Sequence, residues 1–216
     1  MTTTERATLV SRARRATRPS ADATRDRILD VALDLFSELS YDGATTREIS
    51  SRAGVTQPLL NYHFSSKDEL WRAAVERLFE ALDTSMSDRA QGLRGVDELT
   101  MARLLVREFV TFSATHPQLH RIITQECKTD GPRMDWLVEE HVRPWFELAT
   151  ALFEGLVERG HVPAIPAAHL YYILTGAGPT MFVLGPECQR LTGIDPTAPE
   201  VIEAHADAVC LLLFGQ

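Results

Sequence analysis

From Thr24 onward the apolar positions recur with helical spacing. Ile28, Val31, Ala32, Leu35 and Phe36 fall at i, i+3, i+4, i+7 and i+8, the stripe of an amphipathic helix over about 24–39, and Tyr41-Asp42-Gly43 ends it. Two short helices are predicted next, over 46–53 and 57–63. Between them Ala53-Gly54-Val55 supplies a tight turn in which Gly54 is free to take a positive φ. Three start signals mark the region. Thr45 with Glu48, and Ser66 with Glu69, each fit a capping box, while Thr56 is placed to cap the middle helix ahead of Pro58, whose missing N–H costs nothing in a first turn. Leu33, Phe36, Ile49, Val55, Leu60 and Phe64 are the expected core of this small bundle. A helix, a glycine turn and a short second helix outline a helix-turn-helix.

The rest of the chain continues in the same period. Ser66 opens a helix to about Arg89, with Leu70, Ala74, Leu78 and Leu82 stacked at i+4. Gln91 to Gly95 is a break, and helices follow over about 97–115 and 117–128. After Asp130-Gly131-Pro132 a long helix runs to Gly160, with Pro144 expected to kink or split it. Another covers about 167–184, bent near Gly176-Ala177-Gly178-Pro179, and an irregular connection framed by Gly185-Pro186 and Ile194-Asp195-Pro196 leads to a last helix over 199–214. No segment alternates as a strand would. The predicted fold class is all-α: an N-terminal three-helix bundle with a helix-turn-helix, then a C-terminal helical domain, about nine helices in all.

The 216 residues carry a formal charge of −8, which argues at first against nucleic acid. The charge is uneven: residues 1–72 have a net of +1 and residues 73–216 a net of −9, and seven arginines lie within the first 27 positions. Acid is thus concentrated away from the helix-turn-helix. The first 22 residues are poor in large apolar side chains and are expected to be disordered. Arg12, Arg14, Arg15 and Arg18 read either as a solvated tail or as a basic arm that reaches DNA. The longest apolar run is far short of the ~20 residues that span a bilayer, and no secretory h-region precedes the helices. Cys127, Cys188 and Cys210 lack metal-ligand spacing and read as reduced core thiols of a cytoplasmic protein.

Thr-Thr-Arg-Glu-Ile-Ser-Ser-Arg-Ala-Gly-Val-Thr-Gln-Pro followed by Asn-Tyr-His-Phe-Ser-Ser-Lys-Asp-Glu-Leu closely resembles the N-terminal domain of the TetR family of bacterial regulators, over about residues 24–72. The resemblance implies a homodimeric, ligand-responsive repressor on a near-palindromic operator, with a DNA-binding domain over 23–69 and a regulatory and dimerisation domain over 70–216. The partners implied are double-stranded operator DNA, a small and mostly apolar effector, and a second copy of the chain. No cofactor is implied. At the DNA end, Leu60 and Phe64 point inward, while Gln57, Pro58, Asn61 and Tyr62 face the major groove. Gln57 can make a bidentate contact to adenine, and Arg47 matches a position that can read guanine. Asn61 stands where the family usually has an aromatic. Tyr62, His63 and Lys67 match phosphate-contacting positions, and Thr45, Thr46 and Thr56 would bind phosphates through their hydroxyls.

The regulatory half is less explicit. Phe109, Phe112, Trp145 and Tyr171 are candidate walls of an effector cavity, and His120, Gln125, Glu126, His141 and Thr175 its candidate polar anchors. Gly176 and Ala177, with Val201, Ala204, His205, Ala208 and Leu212 on the last helix, are candidates for a close-packed dimer interface. His116 and His120 are four apart, but Pro117 between them spoils a shared face, so no metal site is expected. A nucleophile–base arrangement, a metal motif and a phosphate-binding glycine loop are all missing from the sequence, so an enzyme is not expected. The alternative kept open is a DNA-binding regulator that activates or acts without a ligand.

Overall fold

The computed structural model describes residues 21–93 and 95–215. Among the described residues the chain is all-α, with ten helices: α1 Ala21–Gly43, α2 Thr46–Arg52, α3 Gln57–His63, α4 Lys67–Gln91, α5 Glu98–Thr115, α6 Pro117–Glu126, a composite α7, α8 Ala167–Val183, α9 Gly185–Thr192 and α10 Pro199–Phe214. The basic arm expected over 1–22 lies outside the described residues, except that Ala21 and Asp22 already belong to α1.

The start signals act largely as read. Glu48 N–H donates to Thr45 Oγ1 at 3.1 Å and Glu69 N–H to Ser66 Oγ at 3.0 Å, so both N-caps form. Neither box closes in the reciprocal way, because each glutamate finds another donor. Glu48 accepts from Arg52 one turn on, and Glu69 from the N–H of Ser65, one residue before the cap, at 2.7 Å. Thr56 occupies the cap position of α3, but its hydroxyl makes no capping bond. Gly54 takes φ +63°, which lets α2 turn into α3.

Two expectations need correction. The segment 185–192 is the helix α9, not an irregular connection. Pro186 sits in its first turn and Gly193, at φ +75°, ends it in the left-handed conformation, so the residues taken as breakers are a start and a stop. The thiols are not all in the core: Cys127 is exposed, Cys188 half-buried and only Cys210 buried.

The bend at Pro144 takes a specific form. α7 consists of Pro132–Leu137, a π-helical turn Val138–Val142 and Arg143–Glu158. Proline removes a donor and its ring strikes the carbonyl four residues back, here that of Glu140. Widening the preceding turn relieves the clash, and Arg143 N–H donates to Val138 O, five residues back. In α8 the helix continues through Pro179. Gly178 lets it cross α5 closely, since a Cβ there would lie 3.3 Å from the Phe109 ring.

Two hydrophobic clusters hold these helices. The first joins Ile28, Leu35 and Phe36 of α1, Ile49, Leu60 and Phe64 of the helix-turn-helix, and Leu70, Trp71, Ala74, Leu78 and Leu82 of α4. It then runs on into Phe112, Leu119, Ile122 and Leu137 of α5 to α7 without a boundary near residue 70. The second packs α5, the C-terminal part of α7, α8 and α10 around Val106, Phe153, Leu156, Phe182, Val209 and Leu213. Polar ties reinforce the α6–α1 contact: Gln118 Nε2 donates to Asp34 Oδ1 at 3.0 Å and Gln125 Nε2 to the Ser37 carbonyl at 2.9 Å.

Trp71 is fully buried where the two parts of the first cluster meet. Trp71→Ala is expected to cost about 3–5 kcal/mol of unfolding free energy. Denaturant titrations followed by circular dichroism check this, and a loss below about 1 kcal/mol would contradict the placement.

Candidate nucleic-acid interface

The start of α2, the exposed side of α3 and the start of α4 enclose an open groove of about 470 Å³. It is lined by Ala44, Thr45, Thr46, Gln57, Leu60, Asn61, Phe64, Ser65, Ser66 and Lys67. Five of the sequence-predicted DNA residues therefore share one surface: Thr45, Thr46, Gln57, Asn61 and Lys67. Leu60 and Phe64 are buried and hold α3 to α1 and α4, which leaves the opposite side of α3 outward. Tyr62 is 80% exposed, with its ring edge-on to half-buried His63 at 5.3 Å. Arg47, Thr56 and Pro58 are exposed but do not line this groove.

Several contacts preset this surface. Ser50 of α2 lies 3.2 Å from Gln57 Oε1, and Gln57 Nε2 lies 3.2 Å from Asn61 Oδ1. Arg27 Nε donates to the Ala53 carbonyl at 2.8 Å and pins the α2–α3 turn to α1. Arg52 pairs with Glu48 at 2.8 Å, which draws its charge to the side of α2. The Glu69 carboxylate is held below the usual range by hydrogen bonds from the Ser65 hydroxyl and N–H.

Lys67 also ties this groove to the rest of the chain. Its ammonium lies 4.4 Å from the centre of the Tyr41 ring, and the Arg133 guanidinium lies 3.9 Å from the same ring. Arg133 in turn pairs with Glu126 at 2.8 Å. The ring also stacks on Phe36 and meets Trp71 edge-on. Tyr41 is presented by Ser40, whose backbone (φ 63°, ψ 173°) lies in a region dominated by glycine and costs about 1–3 kcal/mol. Sequence reasoning missed Ser50 and Tyr41. A non-glycine residue with positive φ leaves no sequence signal, whereas a small polar residue on the helix ahead of Gln57 could have been noticed.

The nine effector candidates enter several different contacts. Phe112 is buried and stacks on His116 at 4.2 Å, and half-buried Phe109 packs against both clusters. Gln125 ties α6 to α1 and Glu126 holds Arg133, while Trp145 Nε1 donates to Asp83 at 3.0 Å. His141 stacks on Phe79 at 4.6 Å, next to Trp136, and its Nε2 is buried without a partner. Amphipathic helices that serve two cores use such polar groups as ties between helices. Tyr171 is different. Its ring meets Phe146 at 5.0 Å, burial pushes its hydroxyl up to about 12, and Thr175 caps its carbonyl at 3.0 Å.

Of the dimer candidates, Gly176, Ala204, Ala208 and Leu212 are exposed, with Tyr172 and Leu211 beside them in the chain. Ala177 and Val201 are half-buried, and His205 is tied inside the chain, its Nε2 3.1 Å from the carbonyls of Ala177 and Gly178. His205 is thereby removed from the free face.

Residues 28–74 match the pattern of bacterial regulatory proteins of the tetR family. The transcriptional regulator RutR of Escherichia coli K12 is 24% identical over 174 residues, 81% of each chain. The transcriptional activator FasR of Mycolicibacterium smegmatis is 33% identical over 138 residues, 63% of this chain and 58% of that one. The crystal structure of AibR in complex with isovaleryl coenzyme A and operator DNA shares the fold, with a TM-score of 0.71 at 15% identity over 89% of this chain and 98% of that one.

Burial holds His120 and His141 below the ordinary value of 6.5, against a rise that Glu76, Glu140, Asp83 and Glu80 impose on His141. The unfolded chain then binds more protons than the folded one as pH falls through that value, so stability drops on acidification. Denaturant midpoints compared at pH 7.5 and pH 5.5 are expected to fall, and His141→Phe to reduce the difference; an unchanged midpoint would contradict it.

Proposed function

We propose that this chain, whose residues 28–74 match the pattern of the tetR family of bacterial regulatory proteins, is a DNA-binding transcriptional regulator, and that it is a repressor released from a near-palindromic operator by a small, mostly apolar effector. The observation that carries this is the unbroken first cluster. The helix-turn-helix and α5 to α7 share one packed core through α4, so a change in the regulatory half has no soft joint in which to dissipate.

In this reading residues 23–69 form the DNA-binding domain and 70–216 the regulatory and dimerisation domain. Gln57, Asn61, Tyr62 and Arg47 face the bases, with Pro58 beside them. Thr45, Thr46, Thr56, His63 and Lys67 meet phosphates. The N-terminus of the 25-residue α4 adds its own partial positive charge beside Lys67. Two subunits joined through the exposed sides of α8 and α10 place two recognition helices about one DNA turn apart, ~34–36 Å.

The effector site is best supported around Tyr171 and Phe146, where aromatic rings from two helices meet at 5.0 Å and a neutral phenol can donate a hydrogen bond. AibR binds an acyl coenzyme A, which makes acyl thioesters the first compounds to test. Activation is the second reading, favoured by the likeness to FasR. An effector acts in either case only through its different affinity for the two conformations.

Duplexes selected from a genomic library by the full-length protein provide the probe. Isovaleryl coenzyme A or a longer acyl thioester is expected to weaken their binding by about tenfold or more. Tyr171→Ala should abolish that response and leave unliganded binding intact. Tighter binding with thioester would favour activation, and no change across the series would reject the effector class.

Lys67→Ala is expected to weaken binding to all sequences alike and to flatten the plot of log K against log salt by about 1 for each Lys67 engaged. Titrations by fluorescence anisotropy between 50 and 200 mM salt, a range in which such contacts lose most of their affinity, check it. An unchanged slope would remove Lys67 from the phosphate contacts.

A further inference from the structure

A buried serine on α2 lies against the pair of amides on α3. Ser50 on α2 is 5% exposed and donates its hydroxyl proton to Gln57 Oε1 at 3.2 Å. Gln57 Nε2 then donates to Asn61 Oδ1, also at 3.2 Å. A carboxamide has an accepting end and a donating end, so committing its oxygen sets what it offers elsewhere. In this relay each oxygen already accepts one hydrogen bond, whereas the second N–H of Gln57 and both N–H groups of Asn61 remain uncommitted within it.

A surface of donors matches guanine, whose major-groove N7 and O6 both accept. Adenine sets a donor, its N6 amino group, beside N7, and asks for an amide that offers an oxygen as well. We propose that Ser50 is a specificity-determining positioning residue: by holding the Gln57–Asn61 pair with nitrogen outward, it directs α3 to guanine in place of the adenine that Gln57 alone would read. The proposal rests on the reading of α3 as the recognition helix.

The Ser50 hydroxyl has one proton and a competing acceptor, the Arg47 carbonyl at 2.9 Å. Spending the proton there would leave the oxygen able only to accept. Both amides would then turn over, and Asn61 would present its oxygen. The two arrangements offer opposite patterns to the DNA, and the first is the one in which Gln57 Oε1 lies toward Ser50 and Asn61 Oδ1 toward Gln57, as they do here. Asn61 is what makes the relay possible, because an aromatic at this position would leave Gln57 without a second amide to orient.

The test uses the full-length protein, a library of random duplexes and sequencing of the bound fraction for the wild type, Ser50→Ala, Gln57→Ala and Asn61→Ala. Alanine is a strong helix former, so α2 is kept in the serine variant. The wild type is expected to enrich guanine at the position whose preference Asn61→Ala erases, by about ten- to a hundredfold over adenine. Ser50→Ala should reduce that ratio to about threefold or less, with preferences elsewhere and affinity for non-specific DNA unchanged. Enrichment of adenine by the wild type, retention of the guanine preference in Ser50→Ala, or an equal loss at every position would each overturn the proposal. If Gln57→Ala and Asn61→Ala leave every preference intact, the proposal falls because α3 does not read bases.

Discussion

Burial of the α4 apolar stripe is the constraint on which the rest of the molecule depends. Leu70, Trp71, Ala74, Leu78 and Leu82 are each nearly or fully buried, and together they close the three-helix bundle on one side and receive α5 to α7 on the other. At roughly 1.5–3 kcal/mol for each large apolar side chain removed from water, this stripe outweighs the individual polar ties around it. A small helix-turn-helix bundle has too little interior to be firmly held by itself. Here it borrows its interior from α5 to α7, and the orientation of α3 is set by packing that extends well beyond the motif.

The polar contacts do a different job. Gln118 and Gln125, one face of α6 apart by two turns, fasten that helix to α1 by its register. Two cations, Lys67 of the groove and Arg133 at the start of α7, meet at the one ring of Tyr41. Such contacts contribute little net energy beside the buried stripe. They select among packings that apolar burial alone would tolerate.

What was legible in the sequence was local. Caps at Thr45 and Ser66, the turn at Gly54 and the stripe on α1 are signals carried within a few residues, and each appears where the spacing put it. The same reasoning misjudged 185–193, because Gly and Pro punctuate a helix as readily as they interrupt one, and only the neighbouring packing decides. It also could not sort the candidate effector anchors. Gln125, Glu126 and Trp145 are polar residues on amphipathic helices, and nothing in the sequence says whether such a group faces a cavity or a neighbouring helix. The Ser50 relay joins α2 to α3 and follows from how the two helices cross, which no single-helix pattern contains.

The π-turn at Val138–Val142 has a consequence for how α7 tolerates change in length. A π-turn holds one residue more than the α-helix around it, and Leu137 before it packs in the first cluster while Phe153 and Leu156 after it pack in the second. The wide turn absorbs that extra residue, so the α-helical parts on either side keep the phase of an uninterrupted helix. Deleting one residue here would leave Phe153 and Leu156 facing the second cluster, but it would restore the tighter turn in which the Pro144 ring meets the carbonyl four residues back. The extra residue thus serves the proline: the turn gives up regular bonding so that α7 passes Pro144 and reaches both clusters in one register.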